Sequence, residues 1–228
     1  MKRYIERIRG SKEIQLVLIG ALIWNVTVYF GTRLVAWSWP HHDITTTFDM
    51  RFPFMPWTIV IYIGSYLFWV VNYCICAVQD RQERHRFFCA DWMAKIIALI
   101  IFLTFPTTNL RPEITGNGLW DVSMKLLYWV DRPDNLFPSL HCLVSWLCWI
   151  GVRKRKDVSV FYRYGSLLIA VAICLSTMTT KQHVLVDVIG GIALAEICYA
   201  AAGASKIRGV YAALVDRLMR IFKCTEKA

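Results

Sequence analysis

Six apolar runs, each close to the length of a membrane-crossing helix, determine what this chain can fold into. They cover approximately residues 14–37, 54–78, 87–105, 138–152, 164–178 and 183–202. A bilayer core is about 30 Å thick, and a helix needs about 20 mostly apolar residues to cross it. Because lipid offers no partners for backbone polar groups, runs of this length are expected to form helices. The sequence therefore predicts an all-α polytopic membrane helical bundle with six transmembrane helices, in a single integral membrane domain over residues 1–228.

The composition agrees with a membrane protein and argues against two other classes. Of the 228 residues 57% are hydrophobic, including 10 Trp, 10 Tyr and 12 Phe, which is too apolar for an ordinary soluble domain. The net charge of +10 comes from short basic clusters between the apolar runs, so we expect no nucleic-acid partner. None of the eight Cys lies in the polar segments 40–53 or 109–137, which makes a disulfide framework unexpected.

The basic clusters also predict an orientation. With a cytoplasmic N-terminus, 19 of the 26 Lys and Arg residues fall on the cytoplasmic side and six on the outer side. Both termini are therefore expected in the cytoplasm, with the protein in the plasma (cytoplasmic) membrane of a bacterium. The first apolar run is longer than the core of a signal peptide, and no small-x-small cleavage site follows it, so we expect it to be retained.

Two polar features interrupt the apolar pattern. Residues 106–137 form a long loop, and within it four apolar residues share one helical face: Leu119, Val122, Leu126 and Val130. This face predicts an amphipathic helix lying on the bilayer surface between the third and fourth transmembrane helices.

In the third apolar run, Asp91 and Lys95 stand at i,i+4 spacing, where we expect Lys95 to snorkel to the membrane edge with its partner.

Two histidines and a carboxylate stand where apolar runs meet polar loops. His141 follows Pro138 and Ser139 at the start of the fourth run, and His183 begins the sixth run, with Asp187 one turn later. A helix that only crosses the bilayer has no need of these side chains. An imidazole can act as a nucleophile, an acid or a base, and a carboxylate can fix its tautomer. The orientation above places both histidines on the outer side, because two crossings separate them.

At these positions the sequence resembles the type 2 phosphatidic acid phosphatase superfamily of membrane lipid phosphatases and lipid phosphotransferases. The resemblance covers about residues 104–187, and its motifs are Arg111-Pro112, Pro138-Ser139-Leu140-His141, and Ser176 with His183 and Asp187. Three positions depart from the family's pattern, because its first Lys falls on Thr104, its Gly on Leu140 and its Arg on Thr177. Two phosphate-binding cations are therefore missing from their usual places.

The resemblance implies a role for each of the three catalytic candidates. His183 would attack phosphorus and form a phosphohistidine, while Asp187 accepts a hydrogen bond from the other ring nitrogen and holds the tautomer. His141 would protonate the departing alcohol and then act as the base for the incoming acceptor.

Three further residues are the candidates for binding phosphate. The guanidinium of Arg111 is suited to bidentate contact with phosphate oxygens. Ser139 and the free amides at the start of the fourth helix would complete the cradle. Lys181 lies two residues before His183 and could replace the missing cations, or serve instead as an interfacial anchor. We expect no cofactor and no metal, since no short ligand spacing such as His-x-x-x-His joins the candidate histidines.

The expected function is that of an integral membrane lipid phosphatase, which hydrolyses a lipid phosphate ester at the extracytoplasmic leaflet. A lipid headgroup phosphotransferase resembling inositol phosphorylceramide or sphingomyelin synthases stays open, because Leu140 and the missing cations look more like that branch. A zinc hydrolase lacks the ligand spacing. A non-catalytic membrane scaffold or transporter would explain the helices but not the histidines.

The orientation can be tested by cysteine labelling on intact cells. The cysteine introduced by Asn117→Cys should react with an impermeant thiol reagent, because the positive-inside rule places this loop outside. Asp157→Cys should stay unlabelled, since it lies in a basic cytoplasmic loop, and the parent protein controls for the eight native Cys. The reverse labelling pattern would contradict a site at the outer leaflet.

Overall fold

The computed structural model describes residues 2–222 as ten helices, one 3-10 turn and a pair of two-residue strands. The helices are α1 Lys2–Gly10, α2 Lys12–Ala36, α3 Thr47–Arg51, α4 Ile59–Ala77, α5 Arg81–Thr104, α6 Leu119–Val130, α7 Leu140–Arg153, α8 Val160–Thr179, α9 Leu185–Ala201 and α10 Ser205–Ile221. The 3-10 turn Pro56–Thr58 leads into α4. Strands β1 His42–Asp43 and β2 Thr107–Thr108 pair in parallel. The prediction of an all-helical architecture is confirmed, apart from this short pairing of two loops.

Four of the described helical segments are long and apolar enough to cross a membrane. They are Lys12–Ala36, Pro56–Ala77, Arg81–Thr104 and Val160–Thr179. Helices α9 and α10 would add a fifth span if taken together, but they are bent by 89° to each other. Helix α7 has 14 residues, which corresponds to about 21 Å, short of a bilayer core. These helices indicate an integral membrane protein with four or five candidate spans, where the sequence predicted six.

The third and fifth spans begin earlier than their hydropathy predicts. The charged segment 80–86 lies before the predicted run 87–105, yet α5 begins at Arg81 because the Asp80 carboxylate accepts the amides of Gln82 and Glu83, at 3.0 and 3.1 Å. Helix α8 likewise begins at Val160 after Ser159, whose hydroxyl accepts an amide of the first turn. Both caps satisfy amides that a helix start leaves without partners. Polar caps of this kind lie outside a hydropathy signal.

The acidic and basic pair inside the third span is buried, so the prediction of a snorkelling lysine was wrong. Lys95 and Asp91 are 1% and 0% exposed, and Lys95 Nζ lies 2.8 Å from Asp91 Oδ1. The hydroxyl of Tyr73 donates a hydrogen bond to the same carboxylate. Helix α5 is packed against α2, α4, α7 and α9, and the Lys95 amino group is paired with Asp91 inside the bundle instead of reaching water. A buried charge is tolerated when it is paired in this way.

Helix α7 is the centre of the bundle and packs against α4, α8 and α9. Ten of its 14 residues are buried. Its first turn lies close to the first turns of α9, where Gly191 leaves no room for a side chain: an added Cβ would come within 2.6 Å of the Ser139 carbonyl oxygen. The Ser139 amide donates to the Asp187 carbonyl at 3.1 Å. The N-terminal ends of α7 and α9 are therefore held side by side.

The amphipathic segment of the long loop forms α6, which confirms the predicted helix. Its apolar stripe, from Leu119 to Val130, consists of side chains that are more than half exposed. On the opposite face Met124 and Leu127 are buried against Ile59 and Tyr62 of α4. An apolar face turned away from the bundle is what a helix on a bilayer surface presents to lipid.

The buried ion pair should have a measurable effect on stability. Lys95→Met leaves the Asp91 carboxylate buried without its counter-charge, and we expect it to lower the free energy of unfolding by about 3 to 5 kcal/mol. Adding Asp91→Asn should recover most of this loss. Unfolding in mixed detergent micelles would measure both, with Asp216→Asn as a control at an exposed pair that is worth at most about 1 kcal/mol. Equal losses for the single and double variants would contradict a buried ion pair.

Candidate active site

The two histidines predicted from the sequence lie close together at one end of the bundle. His141 is in the first turn of α7 and His183 lies two residues before α9. Their ring centroids are 6.3 Å apart. Both positions follow from the side-by-side start of α7 and α9, because α8 returns the chain to the same end between them.

Asp187 holds His183 in place and at the same time caps α9. Its Oδ2 lies 3.1 Å from His183 Nδ1 and accepts the Val184 amide at 3.0 Å. The carboxylate is fully buried. Burial lowers the pKa of His183, but the hydrogen bond to Asp187 and its negative charge outweigh this, so the pKa lies above its ordinary value. With Nδ1 engaged by the carboxylate, Nε2 is the nitrogen left for chemistry.

His141 is held by aromatic side chains of α4. Its ring stacks on Tyr62 with centroids 4.2 Å apart, and Trp69 packs beside it at 5.0 Å. Nδ1 lies 3.4 Å from the Tyr62 hydroxyl, while Nε2 is buried without a hydrogen-bond partner among the described residues. His141, His183 and Arg111 all line a cavity of about 20 Å³. That volume is enough for about one water molecule.

Arg111 reaches the two histidines from the long loop. One terminal nitrogen donates to the Asp131 carbonyl at 2.6 Å and the other donates to the Gln182 side-chain oxygen. Its guanidinium packs over the Tyr128 ring at 4.7 Å. Arg111 Nε and Gln182 Nε2 are buried and have no acceptor among residues 2–222. Buried donors without partners are unusual, and the oxygens of an anion would satisfy them.

Asp131 is a site residue that the sequence reasoning missed. Its two carboxylate oxygens accept hydrogen bonds from the hydroxyls of Tyr29 and Tyr62, the latter at 2.7 Å. Burial raises the pKa of Asp131, but the charge of His141, the two hydroxyl groups and Arg111 outweigh it, so the pKa lies below its ordinary value. In the sequence, Asp131 stands only as a carboxylate ten residues before His141, and a ten-residue spacing in a loop does not predict a contact.

Lys181 and Ser139 both lie near the two histidines, but their polar atoms already make hydrogen bonds within the protein. Lys181 Nζ donates to the carbonyls of Asp49 and Phe52, each at 2.6 Å, so two of its three donors hold α3 against the start of α9. The buried Ser139 hydroxyl accepts the Cys142 amide at 3.3 Å and caps α7, which therefore begins at Leu140. Neither side chain is oriented toward an anion by these contacts.

A cleft of about 350 Å³ leads to His183, the histidine that is hydrogen-bonded to Asp187. Its polar lining consists of His183, Arg111, Lys181, Asn109, Thr45 and Asp49, so three of these side chains are basic and one is acidic. Much of the remaining lining is apolar, and it includes Met50, Phe52, Phe54, Leu110 and Met178. The cleft can therefore take a molecule with an anionic group at one end and an apolar part beside it.

The position of the family's missing arginine has a structural role here. Thr177 is buried, and its hydroxyl donates to the Cys174 carbonyl at 2.7 Å. Its own carbonyl accepts the amides of Gln182 and His183, at 2.9 and 3.0 Å, and so shapes the turn that presents the histidine. In the part of the chain that the structure describes, no group of three or more His, Cys, Asp or Glu side chains is placed to hold a metal ion.

The fold and the site define a helical integral membrane protein with a histidine-based site at one end of its bundle. Residues 40–201 match the PAP2 superfamily, and the matched region contains every candidate site residue. The chain belongs to the PAP2 superfamily, which confirms the resemblance. This membership suggests phosphatase or phosphotransferase activity on phosphate esters. No curated protein and no solved structure matched the chain.

The role of Asp187 predicts a change in the titration of His183. Asp187→Asn keeps the shape of the cap but removes the charge, so burial should dominate and the His183 pKa should fall below its ordinary value. Histidine NMR titration of the wild-type and variant proteins would measure the midpoint, with Glu83→Gln at the opposite end of the bundle as the control. An unchanged midpoint in Asp187→Asn would show that the carboxylate does not set the charge of the ring.

Proposed function

We propose that this protein is an integral membrane lipid phosphatase that hydrolyses a lipid phosphate ester through a phosphohistidine at His183. The observation that carries the proposal is the buried Asp187–His183 pair, which lies beside donors of Arg111 and Gln182 that have no acceptor among the described residues. A tautomer-fixed imidazole is a nucleophile, and unsatisfied donors are suited to phosphate oxygens.

In the first step, His183 Nε2 attacks phosphorus and the bond from phosphorus to the ester oxygen breaks. His141 gives its Nε2 proton to that oxygen, which leaves as an alcohol. In the second step, a water molecule attacks the phosphohistidine while His141 takes one of its protons. The phosphorus–nitrogen bond then breaks, and inorganic phosphate is released with His183 restored.

The anionic oxygens need positive or donor groups, and the proposal assigns these to Arg111 and Gln182. The unpartnered Nε of Arg111 and Nε2 of Gln182 would each donate to one oxygen. Lys181 lines the same cleft and has one donor left, which would add its charge. Together these groups would take over from the two family cations whose positions hold Thr104 and Thr177.

A lipid substrate and a six-span topology are the finer parts of the proposal. The apolar lining from Phe52, Phe54 and Met178 supports a substrate with an apolar part next to its phosphate. Helices α7 and α9 would complete six crossings although they are short, because α7 is surrounded by protein and so does not have to match the lipid thickness. The distribution of Lys and Arg supports an outward-facing site with both termini in the cytoplasm.

Transfer of a headgroup phosphate to a lipid alcohol is the second candidate function. It is favoured by Leu140 in the second motif and by the absence of the family cations at Thr104 and Thr177. Hydrolysis is placed first because it needs only water, for which the cavity beside His141 has room. Incubation of the purified protein with a panel of lipid phosphates, followed for both free phosphate and new lipids, separates the two activities.

The two histidines should differ in their effect on the covalent intermediate. His183→Ala should abolish turnover and phosphoenzyme formation, because the attacking nitrogen is gone. His141→Ala should lower turnover of alkyl phosphates by ~100 to 10,000-fold, as expected for loss of a general acid. With p-nitrophenyl phosphate, whose leaving group needs no proton, His141→Ala should still label His183. Rapid quench and mass spectrometry would measure the labelling.

Two results would contradict this assignment of roles. One is a phosphorylated protein trapped in His183→Ala, and the other is complete loss of labelling by the activated substrate in His141→Ala. His42→Ala is the control, since this exposed histidine stacks on Phe105, away from the site.

A further inference from the structure

The structure contains a polar chain that joins His141 to a carboxylate outside the family's motifs. The Tyr62 hydroxyl donates to Asp131 Oδ2 at 2.7 Å and lies 3.4 Å from His141 Nδ1. We propose that Asp131, acting through Tyr62, is a positioning residue that fixes the tautomer and favours the charged form of His141. This inference rests on the proposed function for its catalytic meaning, but not for its structural content.

The proton count of Tyr62 determines the tautomer. A tyrosine hydroxyl has one hydrogen, and Tyr62 gives it to Asp131, so toward His141 it offers only a lone pair. His141 Nδ1 must then carry a hydrogen in order to bond with Tyr62. The neutral ring therefore has its lone pair on Nε2, the nitrogen that is buried without a partner in the described part of the chain. A base that accepts a proton from water needs this lone pair.

Asp131 is itself held so that its charge persists. Its second carboxylate oxygen accepts the hydroxyl of Tyr29, and its backbone carbonyl accepts Arg111 at 2.6 Å. On the preceding residue, the carbonyl of Val130 accepts Arg33 at 3.0 Å. With both oxygens occupied by donors, the carboxylate stays ionised and cannot turn away from Tyr62.

The negative charge offsets the cost of a buried imidazolium. Before the alcohol leaves, His141 carries hydrogens on both nitrogens, and burial alone disfavours that cation. A nearby carboxylate favours it, and the Nδ1 hydrogen remains on the ring throughout. When the ester oxygen takes the Nε2 proton, His141 becomes neutral and Asp131 stays ionised. No proton moves to Asp131, as in other sites where a carboxylate orients a histidine.

The tautomer can be measured without any assay of activity. Nitrogen NMR of histidine-labelled protein, with His141→Gln to assign the signal, should find the neutral His141 protonated on Nδ1. Asp131→Asn and Tyr62→Phe should each move population to the Nε2-protonated form, because the constraint on Nδ1 is lost. Tyr66→Phe is the matched control: this ring also contacts His141, at 5.8 Å, but its hydroxyl makes no hydrogen bond with residues 2–222. A proton on Nε2 in the wild type, or the same tautomer in all variants, would overturn the proposal.

The catalytic effect of Asp131 and Tyr62 can be tested by comparing substrates whose leaving groups differ in their need for a proton. Asp131→Asn and Tyr62→Phe should slow turnover of an alkyl phosphate by roughly 10- to 100-fold, within the range of a weakened general acid. The rate at which p-nitrophenyl phosphate phosphorylates His183, measured by rapid quench, should change by less than about 3-fold, because this leaving group departs without a proton. Equal losses with both substrates would mean a structural role and would reject the positioning role. If His183→Ala keeps wild-type activity, the proposed function fails, while the NMR result still decides the inference.

Discussion

Much of this structure depends on the buried carboxylate of Asp187 at the start of α9. One of its oxygens accepts both the ring of His183 and the amide of Val184, so the same atom caps the helix and orients the imidazole. Its backbone carbonyl accepts the amide of Ser139 and thereby joins the first turns of α7 and α9. The distance between the two histidines is thus set by a helix cap, and not by loops that could vary independently.

The features that could be predicted from the sequence are those whose cause is local. Membrane-length helices follow from runs of apolar residues. The four-residue spacing of His183 and Asp187 predicted their contact, although His183 precedes α9 and Asp187 reaches it as the cap of that helix. The surface helix α6 follows from its apolar stripe. Lys181 lines the cleft together with His183, yet its amino group binds the end of α3, which lies about 130 residues away in the sequence.

The features that escaped prediction depend on contacts between distant segments. Tyr29, Tyr62 and Asp131 come from α2, α4 and the long loop, and no periodicity relates them. The pair Asp91 and Lys95 shows the same limit, since the spacing predicted the contact but not the surrounding helices that bury it. Polar caps such as Asp80 moved the start of a span by several residues, because hydropathy does not register hydrogen bonds to amides.

The right angle between α9 and α10 has a consequence for the vertical position of the site. Helix α10 packs against α2 and α5, and it exposes Val210 and Leu214 together with basic residues such as Arg217. If α9 crosses the bilayer, as we propose, the 89° bend places α10 in the plane of the membrane interface at its C-terminal end. The 17 residues of α9 span about 26 Å between that plane and His183. In the six-span arrangement proposed above, the length of this one helix would set the depth of the imidazole relative to the lipid headgroups, and a single extra turn would move it by about 5 Å.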